Sequence, residues 1–482
     1  MNYNNCDFVI FGAKGDLSKR KLIPALYKLD KKKILHKNTK IIGVGRANWK
    51  KKEFLKIIKT SLKKFLKEKI KEKVWNTFKN RFSFCNLNVN DTEKFFKLKK
   101  KLDITKIIIN YFAIPSNLYH NICKGLYKYN LNLKNSKIVL EKPIGNCLKT
   151  SNKINKNIGK YFKESQIFRI DHYLGKDTII NLLYLRFSNT ILYNNWNKKH
   201  IDHVQITIAE EIGIEGRFKY FNKTGQMKDM VQNHILQILS IITMKEPKKI
   251  NSKNIRKEKI KILKSLYFIK ENEIEKKTVI GQYSHGKINN KKVSSYMSEN
   301  FEKKNTNTET FVAIRIDIHN DRWKGVPFYI RTGKRLKKKC SKIVIVFKNN
   351  IPKTFNNFKN SKTNKLIIQL EPNEKIYLNF LNKVPSLKQK CELKKFKMKF
   401  TYSKNFKKKS IPESYEKLLL DCMLGDQSLF VHIDEVKQSW KWIDNIVNIW
   451  KKVSKKPELY VSGSWGPYLS KKMIEKDGRK WI

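Results

Sequence analysis

The stretch RIDHYLGK, residues 169–176, places two fixed cations, an aspartate, a histidine, a tyrosine and a glycine within eight positions. His172, Tyr173 and Lys176 offer a possible cation, a hydroxyl donor and a fixed cation, a set suited to a phosphate dianion. Asp171 would repel that phosphate and calls for a different partner. A candidate lies in GRFKYFNKTGQMKDMVQNHILQILSI, residues 216–241, where His234 stands among Gln232, Asn233 and Gln237 near the start of an apolar helix. A histidine oriented by a carboxylate can act as a general base. Asp171 and His234 would make such a pair if the fold brings them together; taken alone, His234 also reads as a hydrogen-bonded core histidine.

The elements that must position these groups begin at the N-terminus. DFVIFG, residues 7–12, is a short apolar run ending in glycine, and Leu17, Leu22, Leu26 and Leu29 then recur at helical spacing. In a strand–turn–helix of this kind Gly12 permits the turn. Gly15 lets backbone N–H groups approach a pyrophosphate at the positive helix terminus. Ser18 stands where a third glycine would complete the fingerprint, so an ordinary strand-to-helix turn is the alternative. The next strand, KIIGVGR (40–46), ends in Arg46 and not in an acidic residue, which favours the 2′-phosphate of NADP over the free ribose hydroxyls of NAD. Arginine is scarce here, 12 residues against a large excess of lysine, so its placement carries weight.

IIINYFAIP (107–115) and SKIVLEKPIG (136–145) are further parallel-strand candidates, separated by a helical stretch from Ser116 to Tyr129. Near-continuous apolar strands alternating with helices predict a doubly wound sheet, with ligand loops at Ala113–Ser116 and Glu141–Gly145. From residue 200 onward the pattern changes to strands at 203–211, 311–318, 326–333, 341–348 and 365–372, several alternating apolar and polar residues. The expected architecture is an α/β Rossmann-type domain over 1–171 and a larger α+β domain over 172–482 with a mostly antiparallel sheet. Residues 286–311 read as a polar loop, the place where local disorder is most expected, set apart from the chemistry.

The formal net charge of +64 is compatible with a polyanion partner. Yet the lysines are spread over every segment and accompany abundant Asn, Ile, Phe and Tyr, as drift toward A/T-rich codons would produce. We therefore expect no specific nucleic-acid partner. Seven scattered cysteines without CxxC spacing indicate reduced thiols, and no apolar run suggests a membrane span. A cytoplasmic protein is the expectation.

FGAKGDLSKRKLIPALYKL, GVGRANW, EKPIG, RIDHYLGK, GRFKYFNKTGQMKDMVQNH, VPFYIRTGKRL and PESYEKLLLDCMLGDQSLF, in this order, resemble the glucose-6-phosphate dehydrogenase family, and GKRLKKKC (333–340) resembles its enterobacterial form. The resemblance implies that His234 removes the proton from the anomeric hydroxyl of glucose 6-phosphate while Asp171 orients it. His172, Tyr173 and Lys176 would hold the 6-phosphate. Lys142 would reach both substrate and cofactor, and Glu210, Asp229, Lys334 and Lys339 would contact sugar hydroxyls or add charge. Gly12, Gly15, Asp16, Leu17, Arg46 and Pro115 would fall on NADP, with Lys21 a further lysine near the site. Hydride would pass from C1 to the nicotinamide with no metal needed, and the second domain's sheet would build a homodimer or homotetramer. Lys14, where many members carry Ser or Thr, is a departure. Acting on a free sugar, as a glucose-fructose oxidoreductase type would, leaves the His172/Lys176 cluster without a purpose. A decayed copy would not need every site residue to be chemically competent.

Overall fold

The computed structural model describes residues 5–299, 306–350, 352, 363–387, 392–405 and 411–482. The chain forms two compact units, the first from Met1–Asp177, Pro247–Lys257 and Pro412–Lys437, the second from Thr178–Glu246, Glu258–Ile411 and Gln438–Ile482. A single cut between residues 171 and 172 does not describe this division, because two later segments return to the first unit through long-range pairing that leaves no local pattern.

The first unit is built on strands β1 (Cys6–Phe11), β2 (Lys40–Gly45), β3 (Phe82–Asn86), β4 (Ile107–Phe112), β5 (Ser136–Leu140), β6 (Ile167–Ile170) and β16 (Phe430–Val431), in the order β16-β6-β5-β4-β1-β2-β3. β1 pairs in parallel with both β2 and β4, and only β16, antiparallel to β6, breaks the parallel pattern. All six residues of β1 are buried, as expected of a strand covered by apolar clusters on both faces. The chain order reverses between β1 and β4, so the crevice for a ligand opens at their carboxyl ends.

The opening stretch belongs to this sheet at its start. Arg169 and Ile170 close β6, so the strand–helix alternation runs up to Asp171 instead of ending before Arg169. Arg169 is 1% exposed, and its guanidinium is engaged by Glu164 and Asn155. Its Nη1 and Nη2 donate to the two carboxylate oxygens of Glu164 at 2.6 and 3.0 Å, and Nε and Nη2 donate to Asn155 Oδ1 at 3.2 and 2.8 Å. Glu164 Oε1 also accepts from the backbone N–H of Ile433 at 3.0 Å, and the Gln427 amide donates to the Ile167 carbonyl at 3.0 Å. A bidentate guanidinium–carboxylate pair thus clamps β6 to the returning segment.

The second unit is built on β7 (Ile201–Ala209), β8 (Thr278–Ile288), β9 (Lys291–Val293), β10 (Phe311–Ile316), β11 (Phe328–Gly333), β12 (Cys340–Phe347), β13 (Lys365–Glu371), β14 (Lys375–Lys383), β15 (Leu393–Thr401) and β17 (Glu458–Ser462). The sheet order is β15-β14-β13-β12-β7-β11-β10-β8-β17, with β9 beside β8. Only the β11–β7 and β17–β8 pairings are parallel, so the sheet is mostly antiparallel, as expected. The segment read as a polar loop, 286–311, instead opens with the β8–β9 hairpin and buries Tyr296 fully. Its residues 300–305 lie outside the described residues. Trp440, Trp442 and Trp450 are buried, in keeping with packing roles. Among the described residues no helix is long and apolar enough to cross a membrane.

Arg169→Met keeps the apolar stem but strands the Glu164 carboxylate and the Asn155 amide. We expect it to lower unfolding stability by about 3 kcal/mol, read as a lower urea midpoint at unchanged slope. A loss under about 1 kcal/mol would show that the clamp contributes little.

Candidate functional site

At the carboxyl ends of β1, β2 and β4 the first unit encloses a cavity of about 580 Å³, lined by Gly12, Lys14, Arg46, Trp49, Ile114 and Pro115 among others. Its floor is fixed by backbone. The N–H groups of Gly12 and Ala13 donate to the Val44 carbonyl at 3.1 and 3.2 Å, and the Ala113 N–H donates to Phe11 O at 2.9 Å. Gly12 adopts φ +87°, and a Cβ there would lie 2.4 Å from the Ala113 carbonyl oxygen, so both backbone conformation and space require glycine. Gly15 N–H donates to Gly12 O at 2.9 Å, and the Ser18 hydroxyl donates to the same carbonyl at 2.9 Å. Ser18, where a third glycine was sought, is therefore fully buried and ties the turn to its helix.

The turn leads into helical residues from Asp16, with a π-helical stretch Ser18–Leu22 before the α-helix Ile23–Lys31. Asp16 pairs with Arg20 at 2.6 Å on the exposed face, and Leu17 packs against the apolar core. Gly15, Asp16, Leu17 and Lys142 are not among the residues lining the cavity, whereas Gly12, Arg46 and Pro115 are. Lys14 lines it too, its Nζ 5.8 Å from the Trp49 ring centroid. Sequence reasoning noted Lys14 only as a departure and did not mark Trp49. Lys21 is exposed on the helix.

Two further loops leave this sheet edge. Glu141, at the end of β5, accepts from the hydroxyls of Tyr111 and Tyr415, the latter at 3.2 Å, while the Tyr119 hydroxyl donates to its carbonyl at 3.1 Å. Burial raises the Glu141 carboxyl above its ordinary range, and the two tyrosine hydrogen bonds and Lys142 oppose that rise. This anchored residue holds the loop on which Lys142 stands, a role carried by tyrosines distant in sequence. Beyond β6, Asp171 is 1% exposed and its Oδ1 accepts from the Tyr173 N–H at 3.0 Å, the turn expected of an aspartate bonding its own chain two residues on. The Lys176 N–H donates to Tyr173 O at 3.1 Å, and Lys176 Nζ lies 4.2 Å from the Tyr173 ring centroid. The His172 and Tyr173 rings are 5.0 Å apart. His172, Tyr173 and Lys176 are thereby gathered on one turn.

In the second unit His234, 1% exposed, lies near the C-terminal end of the π-helical segment Met227–Ile235, not at the start of the α-helix Leu236–Thr243 that follows. Asp229 stands in the first turn of that segment. Glu210, just after β7, meets Lys334, just after β11, at 2.7 Å; the parallel pairing of these strands sets Ala209 beside Gly333. Lys334 is 2% exposed, so the cation of this pair is held out of water while the Glu210 carboxylate stays partly exposed. Lys339 sits in an ion pair of its own, 3.1 Å from Glu371. Asp171 belongs to the first unit and His234 to the second.

A glycine-turn crevice lined by an arginine at the end of the second strand, followed by a second unit with a large sheet, defines a dinucleotide-dependent oxidoreductase of two units. The comparisons give the family. A model of the glucose-6-phosphate dehydrogenase NAD binding domain matches residues 9–181, and one of the same family's C-terminal domain matches 183–482. A glucose-6-phosphate 1-dehydrogenase of Buchnera aphidicola subsp. Schizaphis graminum is 54% identical over 479 residues, 99% of this chain and 98% of that protein. That of Dickeya dadantii is 48% identical over 478 residues, 99% of this chain and 97% of that protein. A solved glucose-6-phosphate dehydrogenase in complex with glucose 6-phosphate superposes with a TM-score of 0.90 at 33% identity, covering 99% of both chains. The chain belongs to the glucose-6-phosphate dehydrogenase family.

Gly12→Ala places a methyl group against the Ala113 carbonyl at a left-handed φ, a strain of about 1–3 kcal/mol. The expected result is a lower melting temperature together with loss of NADP-induced thermal stabilisation. Wild-type stabilisation by NADP in this variant would show that the turn does not shape the nucleotide site.

Proposed function

We propose that His234 is the general base, and Asp171 its orienting carboxylate, in the reaction of this family, the oxidation of glucose 6-phosphate at C1 to 6-phosphoglucono-1,5-lactone with NADP. The observation that carries the reading is the turn 171–176, which holds a hydroxyl and two basic side chains together immediately after a buried aspartate. His172, Tyr173 and Lys176 bind the 6-phosphate there, an anion that a free sugar lacks. Lys142 reaches substrate and cofactor from its anchored loop, and Glu210, Asp229, Lys334 and Lys339 meet the sugar hydroxyls or supply charge. Gly12, Gly15, Asp16, Leu17, Arg46 and Pro115 hold the dinucleotide, with Arg46 on the 2′-phosphate. NADP, when bound, supplies the hydride acceptor. As His234 takes the anomeric proton, the C1 oxygen becomes a carbonyl oxygen, and Asp171 stabilises the imidazolium that forms. The negative charge that proton removal builds on that oxygen is taken up in the new C=O bond as the C1–H electron pair leaves.

We also propose a cytoplasmic homodimer or homotetramer. The cysteines among the described residues are all free thiols. The edge strand β15 presents Phe396 and Met398 at 56% and 64% exposure, apolar area that a second copy would cover.

His234→Asn is expected to lower turnover by about two to four orders of magnitude while leaving the KM for glucose 6-phosphate little changed. An unchanged turnover number would remove His234 from the role. Arg46→Ala should weaken binding of 2′,5′-ADP by roughly ten- to a hundredfold and leave 5′-AMP within about twofold, measured by calorimetry. Equal weakening of both would mean that Arg46 does not read the 2′-phosphate.

A further inference from the structure

The helical segment that carries Asp229 and His234 begins abruptly. The α-helix Phe218–Gln226 precedes it, and the two are separated by a kink at Gly225, where φ is +67° and ψ 170°. The N–H groups at the start of the second segment therefore need partners from elsewhere. Those of Gln226 and Met227 find them on one residue of the strap 306–310. The Glu309 carbonyl accepts from Gln226 N–H at 2.9 Å, and Glu309 Oε1 accepts from Met227 N–H at 3.0 Å. The carboxylate packs so closely on the kink that a Cβ on Gly225 would lie 2.3 Å from it.

The strap is tied on both sides. Thr306 and Thr308 donate to the Asn222 side-chain oxygen at 2.6 and 2.9 Å, and Thr308 donates to the Asn222 carbonyl at 2.9 Å. At its other end the Thr310 N–H donates to Gly281 O at 2.8 Å, and its carbonyl accepts from the Lys334 N–H at 3.0 Å. Lys334 is the residue paired with Glu210. Gln226 is fully buried and donates to Thr332 Oγ1 at 2.7 Å. The start of the histidine-bearing segment is thus pinned to β11, the strand that runs into Lys334.

We propose that Glu309 is a positioning residue, its carboxylate capping the segment Met227–Ile235 and thereby setting where His234 stands. The inference rests on the reading of His234 as the base. A carboxylate at a helix N-terminus holds best when ionised, because the positive end of the helix and the charge-assisted hydrogen bond both favour the anion. The ionisable groups facing it are Lys228 on the capped segment and Tyr296 on the segment before the short 3₁₀ turn Met297–Glu299. Burial pushes the Glu309 carboxyl up to about 7, with the hydrogen bond from Met227 N–H and the Lys228 charge pulling the other way. Its folded-state pKa lies above the ordinary carboxyl value, so its ionisation costs stability progressively as pH rises from about 4.5 through about 7. The anion that holds the histidine segment best is therefore the form the fold tolerates least.

Glu309→Gln keeps the shape and an acceptor for Met227 N–H but removes both the charge and its cost. The ratio of wild-type to variant kcat is expected to rise from near one at about pH 6 to roughly three- to tenfold at about pH 8, with KM for glucose 6-phosphate within twofold. The variant's melting temperature at about pH 8 should be equal to or above that of the wild type. A ratio that stays flat with pH, or a parallel fall in stability and turnover, overturns the proposal in favour of a plain packing role. If Glu309→Gln does not fold, Glu309→Asp retains the charge but withdraws it by one methylene. Lower kcat at unchanged KM in that variant supports the proposal, and wild-type kcat overturns it. His234→Asn measured alongside separates the two readings. Loss of turnover there with a flat Glu309→Gln ratio sinks only the inference about Glu309, whereas full turnover in His234→Asn sinks both.

Discussion

The nucleotide end of this molecule depends on one close approach of backbone to backbone. β1 lies between β2 and β4 in a parallel sheet, so the chain leaving β1 must turn within hydrogen-bonding distance of Val44 and Ala113. Only a residue without a Cβ, at positive φ, passes there. Once Gly12 makes the turn, Gly15 and Ser18 bond back to its carbonyl, and the helix that follows has one direction available. The same pairing sets Arg46, one residue beyond β2, and Pro115, three beyond β4, on the rim of one cavity. Strand order produces the crevice, and the glycine keeps it open.

The chemistry of the remaining sites is held by pairs distant in sequence. Glu141 is gripped by Tyr111 and Tyr415, Arg169 by Glu164 and Asn155, and Lys334 by Glu210. Each places a charged group where water is scarce, which is costly unless the partner geometry is good. Such pairs are weak evidence for stability and good evidence for fixed geometry, the property a proton-transfer site needs. Against a surface loaded with lysine, Lys334 is distinguished by burial and by its carboxylate partner. The +64 charge therefore says little about the site and much about the solvated exterior.

Much of this was legible in the residues. The apolar runs before Gly12 and Arg46, the helix after Ser116 and five strands of the second unit follow from local periodicity, with ends shifted by a few residues. The gathering of His172, Tyr173 and Lys176 followed from five-residue proximity. What was missed has one physical character, contact between segments far apart in the chain. β16 joins the first sheet from residue 430, β15 is too lysine-rich to look like a strand, and the two tyrosines on Glu141 come from residues 111 and 415. Arg169, given no role from the sequence, is a buried clamp. Residues 286–311 looked like a polar loop apart from the chemistry, yet residue 309 bonds the helical segment that carries His234. Polarity marks a loop when the polar groups face water, and here Thr306, Thr308 and Glu309 spend theirs on the protein.

We propose that the turn after Asp171 captures a phosphate so that His234 can take the anomeric proton in front of a dinucleotide that Arg46 selects. The most direct test is the initial rate of NADPH formation, followed by absorbance, from purified protein with glucose 6-phosphate and NADP, beside matched reactions with glucose and with NAD. The expected result is turnover that needs the phosphorylated sugar and is faster with NADP than with NAD. Comparable rates with unphosphorylated glucose, or no NADPH from protein shown by its circular dichroism to be folded, would contradict it.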